Sequence, residues 1–198
     1  NVLIRPRFGD FLYSKYEIEI IKNEIRMFRE MGADGIVVGI LTKEGEIDLE
    51  NMKNFISEAQ DIPVTFHRAF DVCKNPLEAF YELKKIGVKA ILTSGQEENC
   101  LKGKQLLKKL VELSNKDNKN KIEIIVGAGL NILNIGEIKN FTGANNFHFS
   151  GKKVRKSGME YKKQDINMGI KGFSEFEILE TDEKIVQEVS EYLKKTIN

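Results

Sequence analysis

The feature that most constrains this chain is a repeated two-part unit: an apolar run of strand length, then a stretch with helical period. Such runs begin at Val2, Gly35, Pro63, Ala90, Ile122 and Asn146, ~24–33 residues apart, the spacing expected of βα units. Most are near-continuously apolar (GIVVGIL over Gly35–Leu41, PVTF over Pro63–Phe66, AILT over Ala90–Thr93). That composition predicts strands buried on both faces, as in a parallel sheet. Two architectures fit, an open doubly wound sheet and a (β/α)8 barrel lacking two units. Two units of ~30 residues added to the 198 present approach the roughly 250 residues of a typical barrel. No strand is followed by GxGxxG or GxxxxGK[ST], so the usual reason to favour a nucleotide-binding open sheet is missing. Residues 1–198 read as a single domain.

Helix signals fill the intervals. Ser14 and Glu17 have capping-box spacing before a helix to Met31 that Gly32 stops, with Ile18, Ile21, Ile25 and Phe28 on one stripe. Asp48 caps a helix through Ala59. Asn75, Pro76 and Glu78 specify the start of another, which ends at Lys84-Lys85 before Gly87. Further helices are expected from about Glu98 to Leu113, up to Phe141 before Gly143, and from a Thr181 cap to Lys195. Ser114–Lys121 reads as a polar loop, Asn146–Ser150 as the last strand, and 151–175 as irregular polar chain.

The balance of charge excludes some partners. Lys+Arg of 31 against Asp+Glu of 30 leaves a net charge of +1, which predicts neither nucleic acid nor an anionic membrane surface. No apolar run approaches the ~20 residues that cross a bilayer, and no secretion signal opens the chain. The chain begins in a strand without an initiator Met, as a piece of a longer protein would. The two cysteines, Cys73 and Cys100, form no CxxC pattern, which suits a reducing compartment; cytoplasm is expected.

Polar residues gather where the strands end, and in α/β folds strand C-termini open onto the ligand crevice. Arg5 and Arg7 follow the first strand on one face, with Asp10 close behind. They suit a carboxylate or phosphate, or a structural ion pair with Asp10 or Asp71. The only histidines, His67 and His148, both fall at strand exits. Each reads as a general base or a metal ligand, with Arg68 and Asp71 as candidates for orienting His67. Thr93-Ser94 and Gly127-Ala128-Gly129 are small-residue exits that read either as anion-binding backbone or as tight turns, with Ser150 near the latter. For Cu(I), which prefers soft donors, Cys73 and His67 are the candidates. Met27, Met31 and Met52 read as core, and Met159 and Met168 fall in the irregular stretch.

Taken in order, LIRPRFGDFLYS, VTFHRAFD, ILTSGQ, VGAG and FHFSG resemble the CutC family of copper homeostasis proteins over nearly the whole chain. The resemblance implies a TIM (β/α)8-type barrel, here starting at the third strand and so lacking the first two βα units. It also implies a cytoplasmic protein that binds or handles copper, and possible homodimerisation. The acidic residue and cysteines discussed as copper ligands in the family belong to those two units and do not map here. What maps is Arg5, Arg7, Asp10, His67, Arg68, Asp71, Thr93, Ser94, Gly127, Gly129, His148 and Ser150. These groups suit a small anionic ligand as well as Cu(I), so the alternative is a TIM-barrel enzyme acting on a small anionic metabolite, phosphorylated or not. His67, Arg68, Asp71 and His148 would then do acid–base chemistry, and the remaining residues would bind the ligand.

Overall fold

In a computed structural model, which describes residues 1–116, 121–163 and 174–196, six parallel strands pair in sequence order. They are β1 (Val2–Leu3), β2 (Ile36–Val38), β3 (Val64–Phe66), β4 (Ala90–Thr93), β5 (Glu123–Val126) and β6 (Asn146–Phe147). Helices α1 (Lys15–Glu30), α2 (Leu49–Ala59), α3 (Pro76–Lys85), α4 (Lys104–Asn115) and α5 (Ile135–Thr142) connect them. A doubly wound sheet must reverse its strand order; this one does not. With every crossover of the usual right hand, an unreversed order sends all the helices to one face. The result is an α/β fold of half-barrel type.

The strand register divides the sheet into two unlike faces. Ile36, Val38, Val64, Phe66, Ile91, Ile124 and Val126 share one face and are all buried. On the opposite face Leu3 is exposed and Val37, Leu92 and Ile125 are half-buried. The first face packs under the helices, where Ile21, Ile25, Met52, Phe55, Phe80, Leu83, Leu107 and Leu110 are fully buried. Burial of each large side chain contributes roughly 1.5–3 kcal/mol.

The predicted caps form. Ser14 and Glu17 make a reciprocal capping box, Asp48 accepts from the Asn51 N–H, and Asn75 accepts from the Glu78 N–H with Pro76 in the first turn. Gly143 closes α5 in the left-handed region at φ 72°.

Five expectations are corrected. The α4 helix starts at Lys104, not near Glu98, because 97–103 folds back on the chain: Gly103 lies directly against Ser94 and Gly95, and the Cys100 N–H donates to Ala128 O. Met27 and Met31 are exposed, whereas Met52 is in the core. Met27 sits two residues past Ile25, roughly 200° around the helix from it at 3.6 residues per turn. The final strand is shorter than Asn146–Ser150, so His148 follows it. Finally, part of the stretch read as irregular is a hairpin, β7 (Lys152–Lys156) antiparallel to β8 (Glu177–Thr181). Its sequence KKVRK lacks an apolar alternation; cross-strand charge pairs hold it instead, Arg155 to Glu180 at 2.7 Å and Lys153 to Asp182 at 3.0 Å. Asp182, not Thr181, then caps α6 (Glu183–Thr196) through the Lys184 N–H. Within the two polar stretches expected above, 117–120 and 164–173 (with Met168) lie outside the described residues.

The chain divides into two compact units, residues 1–130 with 134–148, and 131–133 with 149–198. The first holds the parallel sheet and the second the hairpin and α6.

Candidate functional site

The strand exits of the first unit carry the predicted residues, but not in the predicted partnerships. Arg7 is an internal brace. Its Nε donates to Glu17 at 2.6 Å, and Nη2 donates to Asp10 at 2.9 Å and to Leu12 O at 2.8 Å. Those carboxylates raise its pKa further, and Arg7 with the Ser14 N–H holds Glu17 below its ordinary value. Of the two readings of Arg7 and Asp10, the structure contains the ion pair, with Asp10 otherwise exposed. Arg5 is placed differently. It is exposed, gives one hydrogen bond to Gly9 O at 2.7 Å, and lies over the Phe11 ring at 4.7 Å.

Asp71 is a brace between the loops after β3 and β4. Its buried carboxylate accepts from Arg68 Nε (2.7 Å), Thr93 Oγ1 (2.5 Å), the Ser94 N–H (2.9 Å) and the Gln96 N–H (3.3 Å). Arg68 also donates to Ser94 Oγ, and Ser94 Oγ donates to Glu97 O. Gln96 returns the connection through its amide, which donates to Phe70 O and Cys73 O and contacts Cys73 Sγ at 3.3 Å. Thus Arg68, Asp71, Thr93 and Ser94 come together, but they orient each other. They do not hydrogen-bond to His67, as the sequence reading expected.

His67 is held by backbone. Its N–H donates to Val38 O, and its Nδ1 accepts from the Ala69 N–H at 3.1 Å. The ring needs the glycine at position 39, where a Cβ would stand 2.6 Å from Nδ1. Phe11 packs on the ring at 4.9 Å between centroids. Burial, with the nearby Arg5 charge acting the same way, lowers the pKa to about 4, so the ring is neutral at pH 7. A neutral imidazole whose Nδ1 accepts carries its proton on Nε2. That Nε2 is buried and has no partner.

The tautomer bears directly on metal chemistry. A metal-ligating histidine normally donates through its other nitrogen, whereas here the other nitrogen accepts, so Nε2 presents a proton instead of a lone pair. The Cys73 thiol is buried and pushed up to about 11 by burial and by Asp71, far from the thiolate that binds metal. Among the described residues no group of three or more His, Cys, Asp or Glu is arranged to hold a metal ion. Cys100 is also buried and its pKa raised by burial.

The remaining predicted residues spread out. Gly127 is buried and donates to Thr93 O, and a Cβ there would stand 2.8 Å from Leu92 Cδ1, so the tip of that side chain would have to shift. Ala128 and Gly129 both have positive φ, 71° and 76°. The α5 helix begins six residues beyond Gly129, so this exit runs through a longer loop than a tight strand-to-helix turn. His148 is exposed, its N–H donating to Val126 O, just past β6, which β4 and β5 separate from β3. Ser150 is an exposed residue of the second unit.

Sequence reasoning missed Gly39, Phe11, Gln96 and Tyr13. Tyr13 is buried with an unpartnered hydroxyl, under Arg7, whose guanidinium lies 5.1 Å from the ring centroid. A signal for it existed: the residue before a capping-box serine is fixed at the helix entry.

Comparison with known proteins gives one consistent result. A profile described as the CutC family matches residues 1–153. A CutC family protein of Bacteroides fragilis is 42% identical over 198 residues, covering 100% of this chain and 77% of its own length. The human copper homeostasis protein cutC homolog is 40% identical over 182 residues, 91% of this chain and 65% of its own. A crystal structure of CutC from Streptococcus agalactiae superposes with a TM-score of 0.68 at 34% identity, over 74% of this chain and 70% of that one. By sequence and by fold, the chain belongs to the CutC family.

Proposed function

We propose that this protein serves copper homeostasis in the cytoplasm, as a TIM-type barrel of which this chain supplies the strands from the third onward. Membership of a family whose human and mouse proteins are named copper homeostasis protein cutC homolog carries the reading. The sequential parallel order and the half-open sheet face are what a barrel lacking two strands would present. Copper is cargo in this reading, with Cys73 and His67 as the candidate ligands. Binding there requires Cys73 to lose its proton and His67 to change tautomer, so uptake should release protons. The test is titration of the reduced protein with Cu(I) against a competing chelator. Stoichiometric binding that Cys73→Ser or His67→Ala weakens by tenfold or more supports the site; equal affinity in both variants removes it from this part of the chain.

A second reading, acid–base catalysis on a small anionic metabolite, is favoured by the unpartnered Nε2–H of the neutral His67. Here His67 and His148 would exchange protons with the substrate, and the Arg68–Asp71 brace would fix the floor. Arg5 and the loops at Thr93-Ser94 and Gly127-Gly129 would hold the anion. It predicts that His67→Ala abolishes turnover of the responsive metabolite while the circular dichroism spectrum is unchanged. Retained turnover would end it.

A further inference from the structure

Among the described residues of the first unit, two buried side-chain polar atoms make no hydrogen bond, His67 Nε2 and Tyr13 Oη. They belong to residues 4% and 6% exposed. An unpaired buried donor is costly, and most buried polar side-chain atoms in native proteins are paired, so the two call for an explanation.

The two are connected through Arg5. Its guanidinium lies 4.7 Å from the centre of the Phe11 ring, and Phe11 in turn packs 4.9 Å from the His67 ring. The Arg5 charge acts on both Tyr13 and His67. Arg5 gives a hydrogen bond to Gly9 O and lies close enough to the Tyr13 hydroxyl to act on it, whereas the neighbouring Arg7 is filled by two carboxylates. The register puts Arg5 and His67, each two residues past Leu3 and Thr65, on the half-open face of the sheet. Every hydrogen of this cluster is a donor: the tautomer makes Nε2 one, burial raises the Tyr13 pKa and keeps its hydroxyl protonated, and a guanidinium has no acceptor. Asp10 and Glu17, the carboxylates of the same stretch of chain, already accept from Arg7.

We propose that Arg5, Tyr13 and His67 form an oxyanion-binding site, in which a carboxylate or phosphate group accepts from the guanidinium, the phenol and Nε2–H. The ligand class follows from the donor set. A cation is repelled by Arg5 and finds no lone pair on Nε2, and a neutral apolar group leaves both orphans unpaired. The site is independent of the copper reading, since it uses His67 in the tautomer that does not ligate metal. It deepens the second reading by naming the group its substrate carries, but does not require turnover.

The test is calorimetric titration of the reduced chain with inorganic phosphate and, separately, with acetate, for the wild type, Tyr13→Phe and Arg5→Gln. Saturable binding of either anion, weakened at least tenfold in both variants, is the expected result, and which anion binds selects phosphate or carboxylate. Tyr13→Phe should leave thermal stability without anion equal or raised, because it deletes an unsatisfied hydroxyl and keeps the ring. A purely structural hydroxyl would instead lower it. Absence of binding by both anions, or binding that neither variant alters, overturns the proposal. Failure here leaves the Cu(I) titration untouched, and turnover by a variant that has lost anion binding would separate this site from the enzyme reading.

Discussion

At the scale of single residues, two environments dominate. His67 is neutral because burial disfavours its charge, with a pKa near 4 against an ordinary 6.5. Between those values the unfolded chain binds a proton that the folded chain does not, so stability falls as pH drops through the window. The full span corresponds to about 3 kcal/mol. Chemical denaturation between pH 7 and pH 4 should show this loss, and His67→Gln should flatten it; an unchanged slope would place the titrating group elsewhere. Asp71 is the opposite case, a buried carboxylate with donors on both oxygens. Asp71→Asn turns one acceptor into a donor facing donors and should cost about 3 kcal/mol in a denaturant titration. Both residues were legible in the sequence as important, since charged groups at the end of a buried strand need partners. Which partners they take was not. Asp71 meets Thr93 and Ser94 across 22 and 23 residues of chain, and no local pattern encodes that pairing.

At the scale of elements, the sequence was most informative where the chemistry is local. Capping residues act on N–H groups two or three positions away, so the starts of α1, α2 and α3 could be read directly. The start of α4 could not, because a distant contact sets it: the backbone of Gly103 lies against Ser94 and Gly95. Gly103→Ala should therefore destabilise by about 1–3 kcal/mol and shift the loop carrying Ser94 and Gln96. Gly158→Ala, with open space around it, should stay within about 0.5 kcal/mol. Thermal melts of the two variants make the comparison. The β7–β8 hairpin escaped a reading based on apolar alternation because its cross-strand pairs are largely ionic.

At the scale of the whole molecule, the parallel sheet has two edges, β1 and β6, each with a single neighbouring strand. Exposed edges template further pairing, and Leu3 on β1 is 61% exposed. This chain should therefore self-associate, in line with the homodimer expected from the sequence. Light scattering coupled to gel filtration should give a mass above the monomer at micromolar concentration; a monomer throughout would mean the edges are protected in solution. No helix among the described residues is long and apolar enough to cross a membrane.

The sequence by itself determined the alternation of strands and helices, the capped helix starts and the clustering of polar groups at strand ends. Each of these follows from hydrophobic period or from hydrogen bonds spanning a few residues. Only the tertiary structure decided that the strands follow one another without reversal. It alone joined Asp71 to the β4 loop and turned Nδ1 of His67 toward Ala69, leaving Nε2 buried without a partner, as is the Tyr13 hydroxyl. Those outcomes depend on which distant groups burial brings within about 3 Å of each other, and that information resides in the packing of the elements, not in the period of any one of them.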